Sequence, residues 1–399
     1  MGESQSADVI VVGAGIIGLA VAWRARQRGM AVTVLERDRA GHGTSRVAAG
    51  MLAPVAEVEF GDGGRRLLDL GLRSAGLWPT FAAELEAAGG GAVGLLRTGT
   101  LLVARNEDDA RELERQLDFR HSIGLAVSRL LPSAARALEA ALAPTVRLAL
   151  HAPDDHSVDP RLVLTALLQA CVVSGVDVRE HAPVASVNVD AAGERVSGVT
   201  LRDGQRLGAE RVVLAAGPWT ESVGGLPDRA RVPVRPVKGQ ILRLRDPAGP
   251  GLLRRVLRFD GGYIVPRGDG RYVLGATVEE RGFELAPTAG GVYQLLRDAH
   301  ELVPGITELQ IEELSVGLRP GTPDNAPTIG AGALHGLIWA TGHYRNGILL
   351  APLTAALVAD LLAGEQMPDP LRCACAPERF TAASHRSLSP AGPPVGAVS

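Results

Sequence analysis

The sequence predicts an α/β protein, α+β overall, in which a parallel βαβ unit is interrupted by an antiparallel β-rich insert. Three observations predict it. The chain opens on a strand, a glycine-rich turn, a helix and a second strand. Between Val232 and Val316, short strands alternate with tight turns. From Ile338 to Leu362 the pattern returns to a buried strand followed by a helix.

The elements follow in order. Asp8–Val12 is a continuous apolar, β-rich run, and Ile16–Arg28 reads as a helix that becomes Arg-rich at its end and stops at Gly29. Ala31–Glu36 is the second buried strand. After Phe60 the pattern loosens into helical segments, Leu67–Glu84 and Glu107–Leu117, broken by the glycines of Gly89–Gly94. Asp159 as N-cap with Pro160 at the first helical position starts another helix, and Gly175 stops it. Asp203-Gly204 sits between Val196–Leu201 and Arg211–Leu214 like a hairpin turn. The insert from Val232 to Val316 has turns such as Gly268-Asp269-Gly270 and one helix near Gly291–Leu302. Ile338–Thr341 is a strand and Ile348–Leu362 a helix. After Cys375, Ser, Pro, Ala and Gly dominate, so 376–399 reads as a disordered tail.

Composition narrows the function. The 399 residues are 46% hydrophobic and 21% charged, enough for a sizeable interior and about two domains. Forty-one basic against 44 acidic side chains leave a net charge of −3 with no Lys/Arg run, which argues against a nucleic-acid partner. Three cysteines cannot build a disulfide framework and suit a reducing, cytoplasmic compartment. Cys373 and Cys375 lack further ligands at metal spacing, so no metal is expected. The apolar run Val9–Trp23 is shorter than the ~20 residues that span a bilayer, and Glu3 and Asp8 precede it where a signal peptide would be basic. No membrane partner is expected.

Gly13-Ala14-Gly15-Ile16-Ile17-Gly18 matches G-x-G-x-x-G. Gly13 permits the tight turn, Gly15 lets a pyrophosphate approach the backbone, and Gly18 lets the helix pack against the strand. N–H groups of Ile16 and Ile17 would meet the diphosphate with the helix dipole behind them. Glu36 ends the next strand, where an acid holds ribose hydroxyls. The result is a Rossmann-type dinucleotide site. Pattern alone leaves NAD or FAD open. Arg211–Gly217 and Gly342–Gly347 look like two late parts of the same site, and equally like ordinary strand–loop–helix units of the sheet.

The segments VIVVGAGIIG, GTSRVAAGML, PVKGQ, YIVP, LGAT, GLRPGTPDNAPTIG and GHYRNGILLAP resemble the glycine oxidase (thiamine-pathway, ThiO-like) branch of the D-amino-acid oxidase superfamily, from about Asp8 to Leu362. The resemblance implies a discontinuous FAD-binding domain (1–80, 150–230 and 318–375) with an inserted antiparallel substrate domain (81–149 and 231–317). It implies FAD contacts at Ile16, Ile17, Glu36, Arg37, Thr44, Ser45, Ala49, Gly50 and Met51, at Val184 and Gly217, and along Gly342, His343, Tyr344, Arg345, Asn346, Gly347, Ile348 and Leu349. Hydroxyls of Thr44 and Ser45 in a Gly-flanked turn can bond phosphate oxygens, and read equally well as an N-cap. His42 is expected to be solvated. The Gly317–Asn325 loop lacks the cysteine by which monomeric sarcosine oxidases attach FAD, so FAD is expected to be noncovalent.

By the same resemblance Arg319 takes the substrate carboxylate, a task suited to a planar guanidinium with two parallel hydrogen bonds. Tyr263 is implied as a second carboxylate donor and Arg345 as a further substrate-side residue. Lys238, the lone lysine, reads as structural. The implied reaction is hydride transfer from the Cα of glycine to flavin N5. It yields an imine, then glyoxylate, ammonia and hydrogen peroxide from O2, or imine supplied to thiazole synthase. Gly261, Gly262 and Val278 stand where relatives carry bulkier side chains, which widens the pocket toward sarcosine, D-alanine or D-proline. A tetramer is what the family suggests. The alternatives are a dehydrogenase passing electrons to another acceptor and a nucleotide-binding scaffold with a degenerate pocket.

Overall fold

The computed structural model describes residues 7–380, and the expected tail from 381 onward lies outside the described residues. The first sheet runs in the order Thr328–Ala331, Leu337–Thr341, Arg206–Leu214, Ala7–Val12, Val32–Leu35, Asp177–Arg179. All neighbours are parallel except the first pair. Val9 and Val11 pack toward one core and Ile10 and Val12 toward the other. Burial on both faces is why the opening strand is apolar without alternation.

The helix Ile16–Gln27 follows the Gly13–Gly15 turn and Gly29 ends it at φ 86°. It packs with Pro160–Ser174 and Gly347–Leu362 on one face of the sheet. Asp159 Oδ1 accepts from the Arg161 N–H at 3.0 Å, and Gly175 closes that helix at φ 83°. Both expected caps are present. The Asp203-Gly204 hairpin is also there, but its second strand begins at Arg206, five residues earlier than the apolar pattern indicates. Its start pairs antiparallel with Val196–Leu201 and its end parallel with Ala7–Val12. Polar alternation in the first half hid the continuity.

The second sheet is ordered Gln310–Gly321, Arg235–Arg245, Arg271–Gly275, Gly262–Pro266, Val256–Phe259, Thr100–Ala104, Leu148–Ala152, Ser128–Leu130. Three of these strands lie where only helices were legible, among the segments after Phe60. Boundaries expected at 149/150 and 317/318 each fall inside a strand, Leu148–Ala152 and Gln310–Gly321. Folded chain also extends past Cys375. Pro377–Phe380 forms a short turn of helix, Phe380 is buried in the first sheet's outer core, and Arg379 pairs with Asp324. Among the described residues, no helix is long and apolar enough to cross a membrane, and no His/Cys/Asp/Glu cluster could hold a metal.

Candidate active site

One cavity of about 760 Å³ is lined by both the glycine turn and a face of the second sheet, inside the ~300–1,000 Å³ of small-molecule sites. Gly13 (φ 103°) lets the Ala215 carbonyl approach, because a Cβ there would lie 2.6 Å from that oxygen. Gly15, Ile16 and Ile17 line the cavity at the helix start. The Ile16 N–H donates to Ser45 Oγ at 3.1 Å, while that of Ile17, in the first turn, has no intrahelical partner. Ser45 therefore keeps its own O–H proton for an anion. Glu36 is aimed by backbone: its carboxylate accepts from the Ala14 N–H at 2.8 Å and the Asp38 N–H at 3.1 Å.

Arg37, Ala49, Gly50, Met51, Val184 and Gly217 line the same cavity, as do His343, Tyr344, Arg345, Gly347 and Ile348. The helix Gly347–Leu362 opens on the cavity with no side-chain cap on its N-terminus. Its first turn is held from behind, where the Leu349 carbonyl accepts from Ser74 Oγ at 2.6 Å and Trp78 Nε1 at 2.9 Å. Burial pushes His343 down to about 3, so it is neutral, with Nε2 2.9 Å from Thr354 Oγ1.

Gly18, Gly342, Asn346 and Leu349 do not line the cavity, and Thr44 lines it with its hydroxyl engaged by another partner. The missing Cβ of Gly18 makes room for the Gly13 carbonyl. Gly342 gives way to the Thr322 methyl, Asn346 closes the turn by donating its N–H to the His343 carbonyl, and Leu349 faces Ser74 and Trp78. Thr44 Oγ1 donates to the Leu318 carbonyl at 2.8 Å, which leaves no proton for a phosphate. The N-cap of the Thr44–Val47 turn is Gly43, not either hydroxyl residue.

The other end of the cavity is a row of side chains across the second sheet. Register pairs Ile241 with Gly275, Gly275 with Tyr263, and Tyr263 with Arg258, so all four share one face. Arg319 pairs with Val237 on that face, over Gly239. A Cβ on Gly239 would come within 2.5–2.7 Å of the guanidinium, and one on Gly275 would meet Tyr263 Oη at 2.7 Å. These two glycines are the slots in which Arg319 and Tyr263 lie. PVKGQ and LGAT contain both, and no local spacing marks either glycine as a slot.

Arg319 Nη1 donates to the carbonyls of Thr277 (3.1 Å) and Lys238 (3.3 Å). Among the described residues it has no carboxylate partner. Burial lowers its pKa, Tyr263 works against that, and the Arg345 charge adds to it. Burial likewise raises the Tyr263 phenol, which therefore stays protonated. Lys238 is fully buried outside the cavity; Nζ donates to the Ala286 carbonyl at 2.7 Å and pairs with Glu279 and Glu284. Gly262 lines the cavity, and a Cβ on it would lie 2.7 Å from the Phe259 ring. Gly261 and Val278 line it as well. His42 is exposed at the cavity's edge. Two residues with no sequence signal also stand here: Trp219, under the Arg37 guanidinium at 3.7 Å, and Glu57, paired with Arg258.

Residues 8–361 match the family described as FAD dependent oxidoreductase. The chain is 38% identical over 397 residues to the bifunctional protein ThiO/ThiG of Synechocystis sp., covering 98% of this chain and 55% of that one. It is 37% identical over 361 residues to the glycine oxidase of Geobacillus kaustophilus, covering 89% and 92%. The crystal structure of glycine oxidase from Geobacillus kaustophilus superposes with a TM-score of 0.84 at 34% identity, covering 91% and 96%. The chain thus spans about half the length of the bifunctional relative and nearly all of the glycine oxidase.

Proposed function

The chain belongs to the FAD dependent oxidoreductase family, and from that membership we propose that it oxidises glycine and small relatives such as sarcosine, D-alanine and D-proline. One observation carries this reading: the half-buried Arg319 guanidinium has no carboxylate partner among the described residues and lies beside the Tyr263 phenol in a cavity whose far end suits a dinucleotide. The residues fit FAD. Gly15 leaves space for a diphosphate at the helix start, Ser45 Oγ and the Ile17 N–H stand beside it, and Glu36 is oriented to take ribose hydroxyls. The uncapped N-terminus of Gly347–Leu362 offers positive potential to the isoalloxazine. With His42 exposed and no cysteine in 317–325, we read the attachment as noncovalent.

Held by Gly15, Ser45, the Ile17 N–H and Glu36, FAD would supply a two-electron acceptor for the substrate Cα hydride, and its reoxidation by O2 would give hydrogen peroxide. Arg319 grips the substrate carboxylate through Nε and Nη2, since Nη1 is already engaged by two carbonyls. Tyr263 adds a phenolic donor and fixes the carboxylate's tilt. Hydride departure draws on the lone pair of a neutral amine, so the C–H step asks no acid or base of the protein. Orientation by Arg319 and Tyr263 is its contribution to rate. The imine takes up water, and the sum is glycine, O2 and H2O giving glyoxylate, ammonia and hydrogen peroxide. The bifunctional ThiO/ThiG relative supports a further reading, in which the imine feeds thiazole synthesis for thiamine.

Anaerobic addition of glycine to the purified holoprotein tests this. The yellow colour should bleach and peroxide should form on aeration. Bleaching without peroxide would point to another electron acceptor, and protein that neither carries nor takes up FAD would overturn the reading.

A further inference from the structure

We propose that Arg258 is a second anion anchor, so that this protein prefers amino acids bearing a second acidic group over glycine itself. The inference rests on the amino-acid oxidase reading above and names the substrate class of that site. Arg258 sits directly opposite Tyr263 in the antiparallel pair Val256–Phe259 and Gly262–Pro266, so both side chains project from one face into one cavity. Its side chain is a quarter exposed. Among the described residues its only partner is Glu57, with Nε and Oε1 3.6 Å apart. That is an ion pair without a hydrogen bond, since no donor–acceptor distance falls in the usual range. All five N–H donors of Arg258 are therefore open to a better acceptor.

Charge points the same way. The charged side chains lining this end are Arg258, Arg319 and Arg345 against Glu57 and Asp260, a sum of +1 from three positive and two negative groups. Zwitterionic glycine brings no net charge. An amino acid with a second carboxylate brings −1 and neutralises the site. With the first carboxylate on Arg319, the second would reach Arg258, and Glu57, which lines the same cavity, would accept from the amine. The second acid can hang on nitrogen, as in N-carboxymethylglycine, or on Cα, as in D-aspartate, and the two are tested as separate arms.

The test compares kcat/KM for N-carboxymethylglycine against sarcosine and for D-aspartate against D-alanine, in the holoenzyme and in Arg258→Leu and Arg258→Lys. The wild type should favour the diacid in at least one arm. Arg258→Leu should cut that ratio roughly ten- to a hundredfold, the loss expected for a charged hydrogen bond, and Arg258→Lys should restore part of it. Binding gives a readout independent of turnover: diglycolate, with an ether oxygen in place of the amine, should perturb the flavin spectrum at lower concentration than methoxyacetate, and Arg258→Leu should remove the difference. Neutral substrates favoured by the wild type in both arms would overturn the proposal, as would ratios unchanged by Arg258→Leu. If Arg258→Leu fails to fold, Arg258→Lys and the wild-type pairs still decide. If no amine bleaches the flavin, the oxidase reading has failed, and the diglycolate titration still scores Arg258.

Discussion

The two ends of the cavity are made of different material. At the glycine turn the walls are backbone: Gly13, Gly15, the Ile17 N–H and the start of the Gly347–Leu362 helix. On the second sheet they are side chains, Arg319, Tyr263 and Arg258, standing on glycine floors at 239 and 275. Backbone walls suit a cofactor that never changes, and one added methyl destroys them. Side-chain walls can be exchanged one at a time while the sheet stays intact, and substrate preference can change there without loss of the fold.

Breaking the first end should have the largest effect. In Gly18→Ala the new methyl would overlap the Gly13 carbonyl, and we expect a loss on the order of 3–5 kcal/mol, read by urea denaturation, with little FAD retained. Glu36→Ala removes the acceptor of the Ala14 and Asp38 N–H groups. It should weaken FAD binding by roughly ten- to a hundredfold while kcat of the fully loaded enzyme changes little; a change confined to substrate preference would contradict the ribose assignment.

The second end predicts the opposite pattern. Gly239→Ala puts a methyl 2.5–2.7 Å from the flexible tip of Arg319. The tip can move, so thermal stability should fall little, within about 1 kcal/mol. A guanidinium displaced by about an ångström should still raise KM on the order of tenfold or more. A large stability loss with unchanged KM would mean that the slot serves packing alone.

The last effect lies in pH dependence. His343 is neutral in the folded state, its pKa pushed down to about 3 by burial, whereas the unfolded chain protonates near the ordinary value of 6.5. Its contribution to stability is complete above that value and is lost as pH falls from about 6.5 toward 3. The slope is at most about 1.4 kcal/mol per pH unit. His343→Gln should flatten this limb in denaturant titrations across that window, and an unchanged limb would exclude His343 as its source.

The same contrast explains what could be read from the sequence. The Gly13–Gly18 turn and the Asp159/Gly175 caps are local, each set by residues a few positions apart, and they stand as the pattern indicates. Arg258 and Gly239 reach the site only through register across strands drawn from 235 to 321, which no local spacing encodes. Leu349 and Asn346 belong to the same contiguous motif without lining the cavity, since a motif says nothing of which way each residue turns. Leu148–Ala152 went unseen because a short buried strand looks like part of a helix.

The most direct test of the central claim is binding of glycolate, which has a carboxylate but no amine, to holoenzyme with and without Arg319→Met. Both proteins should carry FAD. Glycolate should perturb the wild-type flavin spectrum saturably, and Arg319→Met should raise its Kd at least tenfold, the ~1.5–3 kcal/mol of a lost charged hydrogen bond. Equal Kd values in the two proteins would contradict the assignment of Arg319 to the substrate carboxylate.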